Sequence, residues 1–353
     1  MLSSPPMTVR ELATALDLSK TTVADALRNS PRVNAKTREE ICRRAAELGY
    51  KPNPVAAAFL QQMRSAGSQR YKATLAYLYH VKPPERKSWY MQWLFYQGAE
   101  RRAKELGYAM EMFSMSDPDM APRRLSNILS TRGILGVIVG PSEKHAWRAE
   151  LDWARFAVVG VALSARRPAM YRVSHNHGHG VQLAMRMCRR KGLRRIGFAL
   201  QKGMDMRVNF GWSGTWLALQ RLRAKQHRLE PLLIEETRWN ADNVREWLER
   251  EQPEAVLTLT ERWPASLRGW TNKNGREPLL VGLDLGPDEN ECGIDQQHER
   301  CGELVVDALS AQILHNERGL PDIATTVFAE GVWREAREGQ CIRSATTPGR
   351  AGG

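Results

Sequence analysis

The chain has 353 residues, a net charge of +13 at pH 7, 42% hydrophobic residues and 26% charged residues. This length predicts two or three domains, and the composition excludes a mostly disordered chain. The apolar runs are far shorter than the ~20 residues that cross a bilayer, and the N-terminus lacks the basic and apolar regions of a secretory signal. Five cysteines without a C-x-x-C pair argue against a disulfide framework or a zinc ribbon. We therefore expect a cytoplasmic protein that contacts no membrane.

The positive charge is concentrated at the front of the chain. Residues 1–72 hold 12 Lys and Arg against 6 Asp and Glu, a net charge of +6, while the rest of the chain shares +7. A basic segment favours a polyanionic partner, although basic residues that merely keep a protein soluble give the same charge. The motif in the same segment decides between these alternatives.

Two short helices joined by a tight turn are predicted at the start of this segment. Thr8 caps the first helix, which runs to residue 16, and Glu11 three residues later completes a capping box. Asp17 stands where the turn needs a residue that tolerates a left-handed φ. Ser19 then caps the second helix.

A third helix is predicted over 35–48, with Asn34 as its cap and Gly49 as its end. The apolar residues of all three helices recur at helical spacing, which predicts one buried face on each. The residues expected to face this common core are Val9, Leu12, Ala13, Leu16, Val23, Ala26, Leu27, Ile41, Ala45 and Leu48.

Three helices with this turn form a helix-turn-helix unit, whose second helix lies in the DNA major groove with its N-terminal side chains at base edges. Those side chains are Lys20, Thr21 and Asp25. Lys donates to guanine, Thr serves either base type or contacts a thymine methyl, and Asp accepts from cytosine N4. The alternative is a three-helix bundle that binds a protein. The agreement of caps, turn and charge favours DNA.

The run L-S-x-x-T-V at 18–23, Asn29, Val33, the T-R pair at 37–38 and the run L-G-Y-K-P-N at 48–53 form a specific set of motifs. This set resembles the DNA-binding head of the lactose-repressor (LacI/GalR) family. Family members usually carry Ser where Ala24 stands, which implies that one phosphate or base contact is missing.

A hinge helix is predicted after the head, over 53–65. Asn53 caps it, Pro54 occupies its first position, and good helix formers follow. A helix this short is marginal in water, so it should form only with a partner or on DNA. The resemblance places Phe59 where the family has a leucine that wedges between base steps, and Phe is also a wedge residue. The alternative is an amphipathic linker helix with Phe59 and Leu60 packed inside a dimer. In either case a flexible linker is predicted to follow at 65–69.

The motif and the resemblance together imply a near-palindromic operator on double-stranded DNA, because such proteins bind as two-fold dimers. The residues expected to contact this DNA are Thr8, Ser19, Lys20, Thr21, Thr22, Asp25, Asn29, Tyr50, Asn53, Ala56 and Phe59.

Strand and helix signals alternate from about residue 73 and predict parallel doubly wound sheets with right-handed crossovers. Nearly 280 residues are large for one sheet, so two subdomains are expected. The predicted strands cover 75–80, 108–115, 136–140, 156–162, 195–200, 231–236, 255–260 and 279–284.

The resemblance continues over about 8–335, through weak matches in the order of the family, among them Gly98 and Gly302. It implies an effector domain similar to a periplasmic sugar-binding protein, with a ligand cleft between two lobes. Ligands bind at the carboxyl ends of strands in open α/β folds. The expected fold is an N-terminal all-α helix-turn-helix domain followed by an α/β two-lobed periplasmic-binding-protein-like domain.

Six residues near the carboxyl ends of predicted strands are candidates for effector binding. The resemblance implies that Asp284 binds effector hydroxyls or ribose, whereas capping of the following loop is the structural alternative. Aromatic side chains stack on sugar or base faces, although core packing is the alternative for each of them. The full set is Trp89, Tyr90, Arg207, Thr260, Trp263 and Asp284.

The H-x-H-x-H run places His175, His177 and His179 at alternate positions. Such histidines on one face of a strand could bind zinc, but Gly178 and Gly180 predict a turn into a helix instead. The resemblance puts this run at a crossover between lobes, which favours a cleft-edge or hinge role. We expect no metal and no cofactor.

The sequence contains no P-loop, H-E-x-x-H or G-x-S-x-G motif, so we do not expect an enzyme. We predict a sequence-specific transcriptional regulator, a repressor, controlled by a sugar or sugar-derived metabolite. The alternative is a sugar-binding protein or enzyme on the same fold without operator binding, and the helix-turn-helix argues against it. The predicted parts are a head over 1–52, a hinge helix and linker over 53–72, a two-lobed effector and dimerisation domain over 73–340, and a disordered tail over 341–353. The tail has no leucine heptads of the kind that join dimers into tetramers, so we predict a dimer.

Overall fold

The computed structural model of the protein describes residues 9–27, 33–48, 50, 73–80, 90–115, 122–142, 151–164 and 167–337. Predictions made for other residues lie outside this part of the chain. They concern Thr8, Asn29, Gly49, Asn53, Ala56, Phe59 and Trp89, the hinge helix over 53–65, the linker at 65–69 and the tail over 341–353.

The head contains three helices, α1 Val9–Ala15, α2 Lys20–Leu27 and α3 Ala35–Glu47. Most of the predicted apolar residues meet in one core, where Leu12, Val23 and Ala26 are fully buried. The side chain of Val9 lies outside the described part of the chain. The inward position predicted for Leu48 is wrong, because its side chain is 42% exposed. Leu48 follows α3 as the C-cap residue, where helical periodicity no longer sets the direction of the side chain.

The larger part of the chain contains twelve described strands and seven described helices. The first group is β1 Ala73–Tyr79, α4 Tyr90–Glu105, β2 Tyr108–Ser114, α5 Pro122–Thr131, β3 Gly136–Val139, β4 Ala157–Val161 and β5 Tyr171–His175. The second is α6 His177–Arg190, β6 Ile196–Gln201, α7 Lys202–Arg207, α8 Gly211–Arg221, β7 Leu232–Ile234, α9 Ala241–Glu251, β8 Ala255–Thr258, β9 Leu279–Gly282 and β10 Cys292–Asp295. The last is α10 His298–His315, β11 Thr326–Ala329 and β12 Val332–Arg334.

The strands form two six-stranded sheets, each the centre of one lobe. Lobe 1 has the order β11-β5-β4-β3-β1-β2, with every neighbouring pair parallel. Lobe 2 has the order β12-β10-β9-β8-β6-β7, in which the edge strand β12 pairs antiparallel with β10. The predicted fold class is confirmed, with one antiparallel edge strand added. Among the described residues, no helix is long and apolar enough to cross a membrane.

All eight predicted strands are present, with ends that differ by one or two residues from the prediction. Strands such as β3 and β4 are buried along their whole length, as expected for parallel strands covered on both faces. The sequence pattern missed four short strands, β5, β10, β11 and β12. It also extended three strands two residues too far, because Glu236, Thr260 and Asp284 lie two residues beyond the ends of β7, β8 and β9.

The chain passes between the lobes three times within the described residues. The connections run from β5 to α6, from β10 to α10, and from β11 to β12. The helix α10 belongs to lobe 1, because Cys301, Val305 and Leu309 are buried in the core of that lobe. The second connection therefore starts on the sheet of lobe 2 and ends at His298, the first residue of a lobe 1 helix.

Two glycines allow α4 and α10 to approach each other closely. A Cβ atom on Gly98 would lie 2.0 Å from the carbonyl oxygen of Glu299, and one on Gly302 would lie 2.1 Å from the carbonyl oxygen of Phe95. In both cases the neighbour is backbone, which cannot rotate away as a side chain can. The absence of a side chain at these two positions thus fixes how α10 sits on lobe 1.

We expect Gly302→Ala to destabilise the protein by about 3 kcal/mol or more, at the upper end of overpacking costs, and to lower Tm by about 6–12 °C. The matched control is Gly214→Ala in α8, where a new Cβ meets nothing within 4 Å. That change should stabilise the helix by up to ~1 kcal/mol. Calorimetric melting of both variants checks the prediction, and equal Tm values would contradict it.

Candidate functional site

The N-terminus of α2 is built by a local cap. The backbone N–H of Thr22 donates to Ser19 Oγ at 3.0 Å, and the hydroxyls of Ser19 and Thr22 lie 2.7 Å apart. Asp17 adopts a left-handed φ of 53° in the preceding turn, as predicted. With the cap satisfied inside the head, the side chains of Lys20 and Thr21 are exposed. They lie where a helix-turn-helix unit presents base-reading groups.

The remaining described residues of the predicted DNA face differ in their surroundings. Asp25 on α2 is half-buried. Tyr50 is also half-buried, packs against the core of the head, and donates its backbone N–H to Ala45 O at 2.9 Å. Burial raises the pKa of Tyr50. Tyr50 therefore has a packing role in this structure, whereas Lys20 and Thr21 face solvent.

Contacts between the lobes define the second candidate site. Ser142 follows β3 in lobe 1, and Arg207 is the last residue of α7 in lobe 2. An Arg207 Nη2 group donates to Ser142 O at 3.0 Å. These residues follow the carboxyl ends of β3 and β6, so the strand ends of the two sheets face each other across a cleft.

Asp284 lies in this cleft and joins it to the second lobe connection. Its side chain is 22% exposed, and its Oδ1 atom lies 2.8 Å from Nε2 of His298, whose side chain is only 4% exposed. Because a carboxylate only accepts, Nε2 carries the proton and donates. The loop after β9 is also tied to the connection by Gln296, whose Nε2 donates to Leu283 O at 2.6 Å.

Five aromatic rings, of which His298 is the first, form a row across the floor of the cleft. His298 is edge-on to Phe95 at 4.8 Å and to His175 at 4.6 Å between ring centroids. His175 is also edge-on to His177 at 5.7 Å, and His177 to Trp212 at 5.0 Å. Phe95 and His175 belong to lobe 1, while Trp212 lies on α8 of lobe 2. The row of rings thus crosses from one lobe to the other.

His175 and His177 are held without charge near neutral pH. Burial lowers the pKa of His177 to about 4, opposing the Asp284 carboxylate, which acts to raise it. Burial, followed by the proximity of His298 and His177, holds the pKa of His175 well below its usual range. The floor of the cleft therefore offers uncharged imidazoles beside one carboxylate.

Several buried polar atoms of this region have no hydrogen-bond partner among the described residues. They are Nε2 of His175, Nδ1 of His298, Oε1 of Gln296 and Nε1 of Trp212. A buried polar atom without a partner is destabilising by about 1–3 kcal/mol. Buried polar atoms without a partner among the described residues are therefore concentrated near the lobe connections.

Two predicted effector residues make other contacts in the structure. The hydroxyl of Thr260, which is buried, donates to Glu291 Oε2 at 2.7 Å. Trp263 is only 6% exposed and packs in the hydrophobic core of lobe 2 beside Trp247, so its expected place in the cleft is wrong. The core-packing alternative holds for this tryptophan. Tyr90 begins α4 and is 38% exposed.

The H-x-H-x-H run turns into a helix, as its glycines predict. His175 ends β5, Asn176 caps α6 by accepting from His179 N at 3.0 Å, and His177 is the first helical residue. His179 Nε2 lies 3.8 Å from Glu330 Oε2 at the third lobe connection. The run therefore lies at the hinge. No group of three metal-ligating side chains occurs in the part of the chain that the structure describes.

Sequence reasoning missed His298 and Gln296. Both follow β10, one of the short strands that the pattern did not predict. The polar run Q-Q-H at 296–298 directly before a long apolar helix was the available signal.

Stability should depend on pH through the two buried histidines. Their pKa values in the folded protein lie below the ordinary 6.5, so only the unfolded chain takes up protons as the pH falls. Stability is full above pH 6.5 and decreases between pH 6.5 and about 4, by up to ~1.4 kcal/mol per pH unit for each histidine. His177→Phe keeps a ring against Trp212 and should reduce this slope.

Urea unfolding between pH 8 and pH 4.5 measures the slope. The control is His315→Gln, which removes an exposed histidine and should leave the slope unchanged. A slope that is the same in wild type and His177→Phe would contradict the prediction.

Comparisons with known proteins identify the head. The family model described as "Bacterial regulatory proteins, lacI family" matches residues 8–53. The HTH-type transcriptional regulator AglR of Rhizobium meliloti (strain 1021) is 45% identical over 51 residues, which is 14% of this chain and 14% of that protein. The match to this curated relative therefore spans the head alone.

Solved structures extend the comparison to the lobes. The cellobiose complex of the transcriptional regulator CelR covers 94% of this chain and 99% of its own, with a TM-score of 0.52 and 17% identity. The trehalose repressor from Escherichia coli covers 75% of this chain and 100% of its own, with a TM-score of 0.53 and 17% identity. At such identities the likeness shows the fold alone. Residues 8–53 thus match the lacI family of bacterial regulatory proteins in sequence, and the two lobes are similar in fold to these solved structures.

Proposed function

We propose that this chain is a lacI-family transcriptional repressor that binds a near-palindromic operator as a homodimer and responds to an uncharged sugar-type effector held between its lobes. It works in the cytoplasm, by binding and not by catalysis, and needs no cofactor. The match over 8–53 carries this proposal, because it identifies the segment whose second helix exposes Lys20 and Thr21. The net charge of +6 over 1–72 supports a polyanionic partner.

The division of labour follows the predicted parts of the chain. The head over 1–52 reads DNA, the segment 53–72 contributes the minor-groove contacts of Asn53, Ala56 and Phe59, and 73–340 binds the effector and the second subunit. Two separate sites then act on one molecule, so an effector alters operator affinity only through states of the lobes that it favours.

Asp284 is the residue that supports a sugar-type effector. Its carboxylate accepts hydrogen bonds from hydroxyls, and its neighbours on the cleft floor, His175 and His177, are uncharged imidazoles. A phosphate or carboxylate group placed there would be repelled by Asp284 and would find no compensating charge on these histidines. CelR with cellobiose and the trehalose repressor, which share the fold, support this assignment.

Lys20→Ala should weaken binding to an operator selected from random DNA fragments by about 1–3 kcal/mol and relax the preference at one base position. The reason is loss of a donor to guanine acceptors. Arg43→Ala is the control, because it removes the same charge from a residue that is paired with Glu40 and Glu47 on α3. Gel-shift titrations measure both, and equal weakening of Lys20→Ala on all sequences would identify a phosphate contact instead.

Asp284→Asn should lower the affinity for the effector by about tenfold or more, since a charge-assisted hydrogen bond is lost. A thermal-shift screen supplies the effector, using cellobiose, trehalose and other neutral sugars beside their phosphorylated and acidic counterparts. Only neutral sugars should raise Tm. Asp242→Asn, at an exposed position on α9, is the control. Operator affinity without sugar should be unchanged in Asp242→Asn, and a phosphorylated sugar that binds most tightly would contradict the assignment.

A further inference from the structure

The hydrogen bond between Asp284 and His298 joins the two lobes. Asp284 follows β9 in the sheet of lobe 2, whereas His298 begins α10, whose apolar face lies in the core of lobe 1. The two residues are 14 positions apart in sequence, with β10 and the second lobe connection between them. The acceptor of this bond between lobes is the same carboxylate that we assign to the effector.

His298 is held firmly enough to orient its partner. Its ring is in edge-on contact with Phe95 and His175, and only 4% of its side chain is exposed. Gly302, one turn along α10, packs against the backbone of Phe95, so the helix cannot shift without a clash. The imidazole therefore presents Nε2 in a fixed direction, and the carboxylate of Asp284 must come to it.

The two ring nitrogens of His298 have different surroundings. Nε2 donates to Asp284 Oδ1 at 2.8 Å. Nδ1 is buried and has no hydrogen-bond partner among the described residues. Within the described part of the chain, Asp284 is therefore the one hydrogen-bond partner of this ring.

We propose that His298 is a positioning residue for the effector site and couples occupancy of the cleft to the placement of the lobes. It directs one oxygen of Asp284 toward lobe 1 and leaves the other to a donor on the ligand. A ligand hydroxyl that donates to Asp284 shares the carboxylate with the N–H of His298. Binding therefore changes the strength of the hydrogen bond between Asp284 and His298, which joins the lobes. The proposal rests on the proposed effector role of Asp284.

The ligand class follows from the same contacts. The group that reaches Asp284 must donate a hydrogen bond, because the carboxylate only accepts. A ligand hydroxyl meets this requirement, and the Nε2–H donor of His298 is already used on Asp284. An acid or a phosphate ester placed against the same carboxylate would bring two anionic groups next to each other.

Two substitutions separate the hydrogen bond of His298 from the packing of its ring. His298→Phe keeps a ring against Phe95 and His175 but removes the donor. His298→Gln loses the ring but places an amide N–H donor near the position of Nε2. A residue that acts only by packing should tolerate Phe better than Gln, whereas a residue that positions Asp284 should tolerate Gln better than Phe.

Hydrogen exchange on the full ligand-free chain provides the first measurement. In His298→Phe, amides at 283–285 and 295–298 should exchange about threefold to tenfold faster, because local opening of the lobe connection becomes easier. In His298→Gln they should stay within about twofold of wild type, and the amides of α9 should be unchanged in both. Faster exchange in Gln than in Phe, or wild-type exchange in both, overturns the proposal.

The second measurement repeats the hydrogen exchange in the presence of a neutral sugar. The sugar is chosen from cellobiose, trehalose and the other neutral sugars as one that raises the Tm of wild type but not that of Asp284→Asn. Wild type should show slower exchange at both 283–285 and 295–298. In His298→Phe, the sugar should slow exchange at 283–285 alone. If the sugar still slows exchange at 295–298 in this variant, the coupling is overturned. If no sugar depends on Asp284, the effector assignment fails, while the ligand-free exchange still decides whether His298 joins the lobes through its donor.

Discussion

The close approach of α4 and α10 is the constraint on which the cleft depends. Gly98 and Gly302 bring the two helix backbones into direct contact, which leaves no freedom for the first turn of α10. That turn carries His298, and the facing turn of α4 carries Phe95. The direction of the His298 imidazole, and with it the orientation of the Asp284 carboxylate in the other lobe, is thereby set by helix packing rather than by a flexible loop.

The electrostatics of the cleft floor follow from burial. Imidazoles inside a low-dielectric region lose their protons, so His175 and His177 contribute polar atoms without charge. Asp284 remains partly exposed and supplies the negative charge beside them. In the proposed site, an anion placed beside these imidazoles would be repelled by the Asp284 carboxylate.

In the proposed site, residues that are predicted to bind the effector also form contacts between the lobes. Arg207 reaches across the cleft to Ser142, and Asp284 reaches across it to His298, so two of the predicted effector residues also connect the lobes. A ligand that forms hydrogen bonds with either residue necessarily alters a contact between the lobes. Coupling therefore needs no long chain of intermediates within the effector domain, only a difference in ligand affinity between two arrangements of the lobes.

The sequence alone determined whatever depends on near neighbours in the chain. Helical periodicity and local caps predicted the head, because Ser19, Asp17 and Asn34 act within three or four residues. Alternating apolar runs predicted the two sheets, and the resemblance singled out Asp284. Only the tertiary structure decided that Trp263 packs in the core and that His298 bonds Asp284. The core around Trp263 includes Ala199, 64 positions away, and the ring of His298 is in contact with Phe95 and His175, which are more than a hundred positions away. Local patterns carry no information about which distant segments come into contact. The neighbours of a buried side chain come from such segments, so only the tertiary structure shows them.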